Sequence, residues 1–292
     1  MNVPRVFYPL SLMSKCVALF VLVVGVASGC TTTSALQPVA TTVPASITEK
    51  SASIVVDGST GAVLYQASAD LPRIPASLTK MMTLYLTFEA LESGRLTKNT
   101  VIPVSAHAAS QAPSKLGFRP GQSIDVDTAI KAIVVKSAND VAVALAEAIG
   151  GSEPQFAALM TAKARQLGMK GTTFNNASGL PDPMQVTTAR DMALLGMALR
   201  RHFPQQYYYF SLHDFMFNGR LVEGHNRVLA KLNGADGIKT GYVRASGFNI
   251  VTSVNDNGRK LVAVVMGGDT ARARDQQVVD LVHSYLPMAA SR

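Results

Sequence analysis

The sequence predicts an α+β domain: one antiparallel sheet assembled from strands near both ends of the chain, with helices between them and flanking it. Three observations carry this expectation. Short β-rich runs lie at 53–66, further ones lie at 237–266, and apolar residues recur at helical spacing across much of the interval. A sheet drawn from such distant segments closes late in folding. The chain has 292 residues, 48% hydrophobic and 16% charged, enough apolar material for a full core and no long charge block that would suggest disorder.

The first element in order is an export signal. The apolar run at 16–28 follows Lys15 and is shorter than the ~20 residues a membrane-spanning helix needs, so it reads as the h-region of a signal peptide covering 1–30. It ends in Ala27-Ser28-Gly29-Cys30, small residues directly before a cysteine, which resembles a bacterial lipobox with Cys30 as the lipidated residue; Ala27 stands where Leu is commonest. An ordinary signal-peptidase cut near Ala27 is the alternative, and Met13-Ser14-Lys15 offers a second possible start. Residues 31–50, rich in Thr, Ala, Pro and Ser, read as a flexible tether, and 51–292 as a single domain. The only cysteines are Cys16 and Cys30, so the folded domain is expected to carry no disulfide. The formal charge of +8 suits an anionic polymer or lipid surface. No basic helix, zinc spacing or aromatic–basic interleaving points to nucleic acid.

Within the domain, 53–57 and 62–66 form a hairpin across Gly58-Ser-Thr-Gly61. Leu78, Met81, Met82, Tyr85, Leu86, Phe88 and Leu91 place a helix over 77–92, stopped by Ser93-Gly94. The stretch 96–121 reads as irregular, and helical patterns return at 125–136, 139–149, 153–167 and 188–201. A second irregular stretch, 203–235, contains Tyr207-Tyr-Tyr-Phe210, read as packing rather than as a sugar platform. Strands follow at 237–242, 247–253 and 260–266, and a helix over about 272–286 closes the chain.

Three short elements could carry chemistry. Ser77-Leu-Thr-Lys80 sets a hydroxyl and an amine side by side on one face at a helix start, where free backbone N–H groups favour developing negative charge. A serine needs a base, and a lysine serves if burial or a nearby cation lowers its pKa. Alone the signal is weak, since S-x-x-K arises by chance about once in a chain of this length, and a Ser N-cap with a solvated Lys is the ordinary reading. Ser137-Ala-Asn139 lies at a break between two helices, so its hydroxyl and amide can face one cavity; helix capping is its ordinary reading. Lys239-Thr-Gly241 lies in a β-run, with Lys and Gly on one face and a glycine that lets a substrate backbone approach; a charged edge strand is the ordinary reading. The three together, in this order, are far less probable by chance than any one, and S-x-x-K, S-D-N and K-T-G form the signature associated with penicillin-binding proteins and class A β-lactamases, with Ala138 here in place of the Asp.

On these motifs the sequence resembles the low-molecular-mass penicillin-binding proteins of the D-alanyl-D-alanine carboxypeptidase family, peptidase S11. The resemblance runs from about Ser51 to Pro287 and includes Pro113-Ser-Lys-Leu116, Asn175-Asn-Ala-Ser-Gly-Leu180, Thr187-Thr-Ala-Arg-Asp191, His225-Asn226 and Asp236-Gly-Ile-Lys-Thr-Gly241. It implies a β-lactamase/transpeptidase-like fold whose mostly helical subdomain carries Ser137 and Asn139. It further implies that Ser77 is acylated by peptidoglycan stem peptides with Lys80 as base, and that the backbone N–H groups of Ser77 and Tyr242 form an oxyanion hole. Ser137 would relay a proton, Lys239 would hold Lys80 neutral, Asn139 would bind the peptide, and Thr240 with Lys239 would receive the terminal carboxylate beside Gly241. β-Lactams would acylate the same serine and stall, and no cofactor is implied.

The same resemblance leaves rivals. A D-alanyl cross-link endopeptidase would share every catalytic residue. A β-lactamase is disfavoured by Ala138, where those enzymes typically have Asp, and by the lack of an E-x-x-L-N motif after Gly150. A non-catalytic wall-binding protein would not need Ser77 and Lys80 together. Many members carry a second, β-rich domain and a C-terminal anchor; neither is expected here, and a lipid on Cys30 would replace the anchor in the cell envelope. The histidines at 107, 202, 213, 225 and 283 show no metal spacing, so no metal site is expected. His225 is read as a structural hydrogen-bonding residue, or one near the substrate carboxylate, and Asp140 as a helix cap.

Overall fold

The computed structural model describes residues 50–291, which fall within one compact unit. The signal-peptide call, Cys30 and most of the tether lie outside the described residues. The hairpin β1 (Ala52–Asp57) and β2 (Val63–Ala67) comes first. A single 3₁₀ turn, Ala76–Thr79, leads into α1 (Lys80–Glu92). Then come β3 (Val101–Pro103), α2 (Ala106–Ala109), β4 (Ser123–Asp125), α3 (Val126–Lys131) and a π-helical turn, Ala132–Lys136. The helices α4 (Asn139–Gly150), α5 (Glu153–Gln166) and α6 (Ala189–His202) follow. The hairpin β5 (Asp214–Phe217) and β6 (Arg220–Glu223) precedes the long strands β7 (Ala235–Val243), β8 (Gly247–Asp256) and β9 (Arg259–Gly268), and α7 (Ala271–Tyr285) closes the fold.

The main sheet is antiparallel throughout, in the order β2-β1-β9-β8-β7, so the N-terminal hairpin joins the C-terminal strands through β1 and β9. Period-two alternation sends side chains to two cores. Ile54, Val56, Val251, Val262 and Val264 face the large core beneath α1 and α6. Val55, Ile250, Leu261, Ala263 and Val265 face a smaller one with Val278, Leu281 and Val282 of α7. All six residues of β1 are buried because both faces are covered. Helix α6 comes close to the sheet at Gly196, where an added Cβ would lie 3.0 Å from Ile238 Cδ1 and 3.3 Å from Val262 Cγ1.

The α+β architecture and the order of the main elements agree with expectation. Two stretches read as irregular do not. The segment 203–235 contains the β5–β6 hairpin, turned at Asn218-Gly219 with both residues at positive φ, the geometry a two-residue hairpin loop favours. Within the expected 96–121 loop, β3 pairs with β4 just beyond it. The helix expected over 125–136 stops being α-helical after Lys131, and its π turn ends at Ser137 in the left-handed region, φ 60°. That extra residue per turn re-aims the chain just before Ser137.

Candidate active site

Ser77 sits on the 3₁₀ turn, not within the α-helix proper, and Lys80 opens α1 one turn later. The turn is pinned to the sheet by Asn249, whose Nδ2 donates to Ile74 O and Pro75 O while its Oδ1 accepts from Gly267 N. Gly179 seats against it from the other side. Its φ is +85°, and a Cβ there would fall 1.9 Å from Ala76 O. Gly241 on β7 faces the same turn, with its missing Cβ directed 2.9 Å from Ser77 N. A side chain at either glycine would fill the space against the serine.

Lys80 is fully buried. Its Nζ lies 3.2 Å from Ser77 Oγ and 2.6 Å from Asn139 Oδ1, and it also donates to Ser178 O. Asn139 Nδ2 donates to Ala112 O at 2.7 Å, which fixes the amide with its oxygen toward the lysine. Burial pushes the Lys80 pKa well down, and the charge of Lys239 pushes it further, against a smaller opposing pull from Asp140. Lys239 is buried as well, and burial with repulsion from Arg274 brings it down to about 7. It donates to Thr240 O and has no ion-pair partner among the described residues.

The loop 175–180 places Ser178 O against Lys80. Asn176 Oδ1 accepts from Ser178 N and Gly179 N, forming a local turn, and Glu153 Oε1 accepts from Ala177 N at 3.0 Å while Thr83 Oγ1 donates to Ala177 O. On the opposite wall, Ser137 is 6% exposed, and its Oγ is buried with no hydrogen-bond partner among the described residues. Asn139 N donates to Ser114 O, and Ser114 Oγ donates to Lys136 O, stitching the 113–118 loop to the Ser137 wall.

A cavity of about 500 Å³ opens over these groups, lined by Ser77, Ser137, Asn139, Thr240, Gly241 and Tyr242, with Leu180 and Phe248 supplying apolar wall. The three sequence elements thus converge on one space. Lys80 and Lys239 lie beneath its surface rather than in its lining. Tyr242 is exposed at the rim, its ring stacked on Phe248 at 4.2 Å.

Several expectations change. Asp140 is not the N-cap of α4, which is Ala138 without a side-chain bond, but its buried carboxylate does accept from Val141 N in the first turn at 2.9 Å; beyond that, it accepts from the N–H groups of Leu116, Gly117 and Phe118. A buried carboxylate requires such donors, and the loop supplies them. His225 makes no hydrogen bond among the described residues and stands at the cavity rim; burial and the charges of Lys239 and Lys136 lower its pKa. Tyr207, Tyr209 and Phe210 are core residues, as the packing reading held, with Tyr208 exposed. Among the described residues no cluster of His, Cys, Asp or Glu could hold a metal ion, and no helix is long and apolar enough to cross a membrane.

One residue escaped the sequence reading. Arg274 lines the cavity from the first turn of α7, buried, paired with Asp275 at 2.8 Å and donating to Asn249 O. A buried cation at a helix N-terminus opposes the helix dipole. That unfavourable placement is the signal that could have marked it.

Comparison with known proteins agrees with this geometry. The family model of D-alanyl-D-alanine carboxypeptidase, peptidase S11, matches residues 37–270. D-alanyl-D-alanine carboxypeptidase DacC of Escherichia coli (strain K12) is 36% identical over 240 residues, 80% of this chain and 60% of that protein. DacA of the same strain is 36% identical over 77% of this chain and 57% of its own length. The chain therefore spans about three fifths of the curated relatives it matches. Among solved structures, penicillin binding protein 5 from Haemophilus influenzae superposes with a TM-score of 0.78 at 33% identity, covering 81% of this chain and 70% of that one. Penicillin-Binding Protein D2 from Listeria monocytogenes in an ampicillin-bound form gives 0.70 at 28% identity, covering 80% and 95%. The chain belongs to the D-alanyl-D-alanine carboxypeptidase family, peptidase S11.

Proposed function

We propose that this chain is a serine D-alanyl-D-alanine carboxypeptidase that removes the terminal D-alanine of peptidoglycan stem peptides through an acyl-enzyme on Ser77. The observation that carries the reading is a buried lysine of depressed pKa, Lys80, 3.2 Å from the hydroxyl of Ser77 beneath an open cavity. Asn139 Oδ1 and Ser178 O can only accept, so they take two N–H groups of neutral Lys80 and leave its lone pair for the Ser77 O–H. As Ser77 Oγ bonds to the carbonyl carbon of the penultimate D-alanine, Lys80 takes its proton. The backbone N–H groups of Ser77 and Tyr242 receive the oxyanion; one such donor is worth about 2.7–4 kcal/mol in a comparable serine enzyme.

Collapse of the tetrahedral species breaks the C–N bond, and Ser137 passes the proton from Lys80 to the leaving amine. Its buried hydroxyl, without a partner among the described residues, supports that role. Thr240 receives the terminal carboxylate with the cations of Lys239 and Arg274 behind it, and the second N–H of Asn139 Nδ2 meets the peptide. Water then cleaves the ester. A β-lactam follows the first step and stalls, in keeping with the ampicillin-bound relative.

Fluorescent penicillin is expected to label the wild type and not Ser77→Ala; serine-independent labelling, or none, would overturn the assignment. Digestion of purified cell wall is expected to release free D-alanine with dimeric muropeptides intact, whereas loss of the dimers would make the enzyme an endopeptidase. The proposal extends to address: residues 1–30 as export signal, Cys30 as a lipid anchor, 31–50 as tether and 51–292 as the catalytic domain, in the cell envelope. The apolar run ending at Cys30 supports it. Mass spectrometry of the mature N-terminus is expected to find a diacylglyceryl cysteine, lost in Cys30→Ser.

A further inference from the structure

The reaction cavity adjoins a second groove. Lys115, Lys136, Arg220 and Glu223 line that groove, and Gly224 and His225 line both spaces, so the two lie side by side. The groove has its own volume of about 890 Å³. Its walls are the 113–118 loop, the end of the π turn and the β5–β6 hairpin.

The charges here are unbalanced and unused. Against Lys115, Lys136 and Arg220 stands a single carboxylate, Glu223. None of the four forms an ion pair among the described residues. Lys115 Nζ makes one bond, to Ala109 O at 3.2 Å, and keeps its other donors. The lysines are not carried on a loose loop. Lys136 O accepts from Ser114 Oγ, Asn139 N donates to Ser114 O, and Asp140 holds the N–H groups of Leu116 and Gly117. The backbone that aims the lysines is therefore the backbone that sets Ser137 and Asn139. The potential reaches the rim between the cavities, where the charges of Lys239 and Lys136 help depress His225.

We propose that this groove is a subsite for carboxylates on the peptide substrate at residues outside the scissile D-alanyl bond, so that the enzyme selects acidic peptides over amidated ones. The inference rests on the peptidase reading above. A free anionic polymer, bearing phosphate instead of carboxylate, would find the same cations; the wall residues Gly224 and His225 shared with the space over Ser77 favour a peptide that reaches both.

The test uses two synthetic peptides ending in D-alanyl-D-alanine, one with free side-chain carboxylates and one with those groups amidated. Binding is titrated on Ser77→Ala, and turnover is followed on the enzyme with Ser77 intact, each with and without the combined substitutions Lys115→Gln and Arg220→Gln. The free-acid peptide is expected to be favoured about tenfold in both binding and kcat/KM, and the double substitution is expected to remove most of that preference. The amidated peptide and acylation by a small β-lactam should change less than twofold, which shows that the variant is folded. Equal handling of the two peptides overturns the subsite even if both are cleaved. So does displacement by a polyphosphate with no carboxylate preference. If the free-acid peptide is preferred in binding but neither peptide is cleaved, the subsite stands and the peptidase reading falls.

Discussion

Two lysines dominate the residue scale, and they are costly. Lys239 is buried, without a carboxylate partner among the described residues, and depressed to about 7 by burial and Arg274. In the unfolded chain it would titrate near 10.5, so between those values the unfolded state binds more protons and stability rises with pH. Replacing it with an apolar residue of similar length, Lys239→Met, is expected to raise the unfolding free energy at pH 7 by a few kcal/mol, on the order of 2–4. It should also flatten the rise between pH 7 and 9.5 and cut penicillin acylation at least 100-fold. Denaturant unfolding across that pH range, beside acylation rates, checks both halves. Asp140 offers a finer probe, because its charge raises the Lys80 pKa. Asp140→Asn removes that pull, so the acid limb of the acylation pH profile is expected to move to lower pH. Loss of the charged acceptor for Leu116 and Gly117 should cost about 1–3 kcal/mol. An acid limb that stays put or moves up would detach Asp140 from the lysine.

Short irregular segments, more than helices and strands, aim the chemistry at the scale of elements. The 3₁₀ turn carries Ser77, the π turn ending in a left-handed residue carries Ser137, and the Asn176 turn carries Ser178 O. Each is held by contacts from elsewhere: Asn249 grips the first, Ser114 the second and Glu153 the third. Gly179 lies where two of these turns touch. In Gly179→Ala the new Cβ would collide with the backbone of Ala76 at a φ that L-residues avoid, so the serine turn must shift. A loss of about 2–4 kcal/mol and a drop in acylation of 100-fold or more are expected, read by thermal unfolding and penicillin labelling together. Wild-type labelling in that variant would mean the turn can move without consequence.

The whole molecule is closed by pairing β1 with β9, which brings residues 52–57 onto 261–266 and fixes the far end of the sheet against which β7 lies two strands away. Helix α6 lies close on this sheet at position 196, where even a Cβ would crowd the side chains of Ile238 and Val262. Gly196→Val would push on Ile238 and Val262 from within the large core, and Ile238 adjoins Lys239. Overpacking there is expected to cost about 2–3 kcal/mol and to slow acylation although the site lies on another element. Full activity with lost stability would show the sheet to be rigid enough to insulate β7.

Much of this could be read from the sequence alone. Local periodicity is a property of neighbouring residues, so the helices expected at 139–149 and 188–201, each within a residue of the observed bounds, and the strands at both ends are legible, as is the hydroxyl–amine pair of Ser77 and Lys80. The β5–β6 hairpin carries a local signal in Asn218-Gly219, but the residues flanking that turn alternate too weakly to mark two strands. What only the tertiary structure decided is which groups end up without water. Burial of Lys80 and Lys239, the acceptors that consume two N–H groups of Lys80, the capture of a loop by Asp140, and the arrival of Arg274 all depend on segments far apart in the chain, 23 residues in the case of Gly117 and Asp140 and 98 for Lys80 and Ser178. Desolvation and like-charge repulsion are set by that packing, and they turn an abundant sequence pattern into a candidate base and nucleophile.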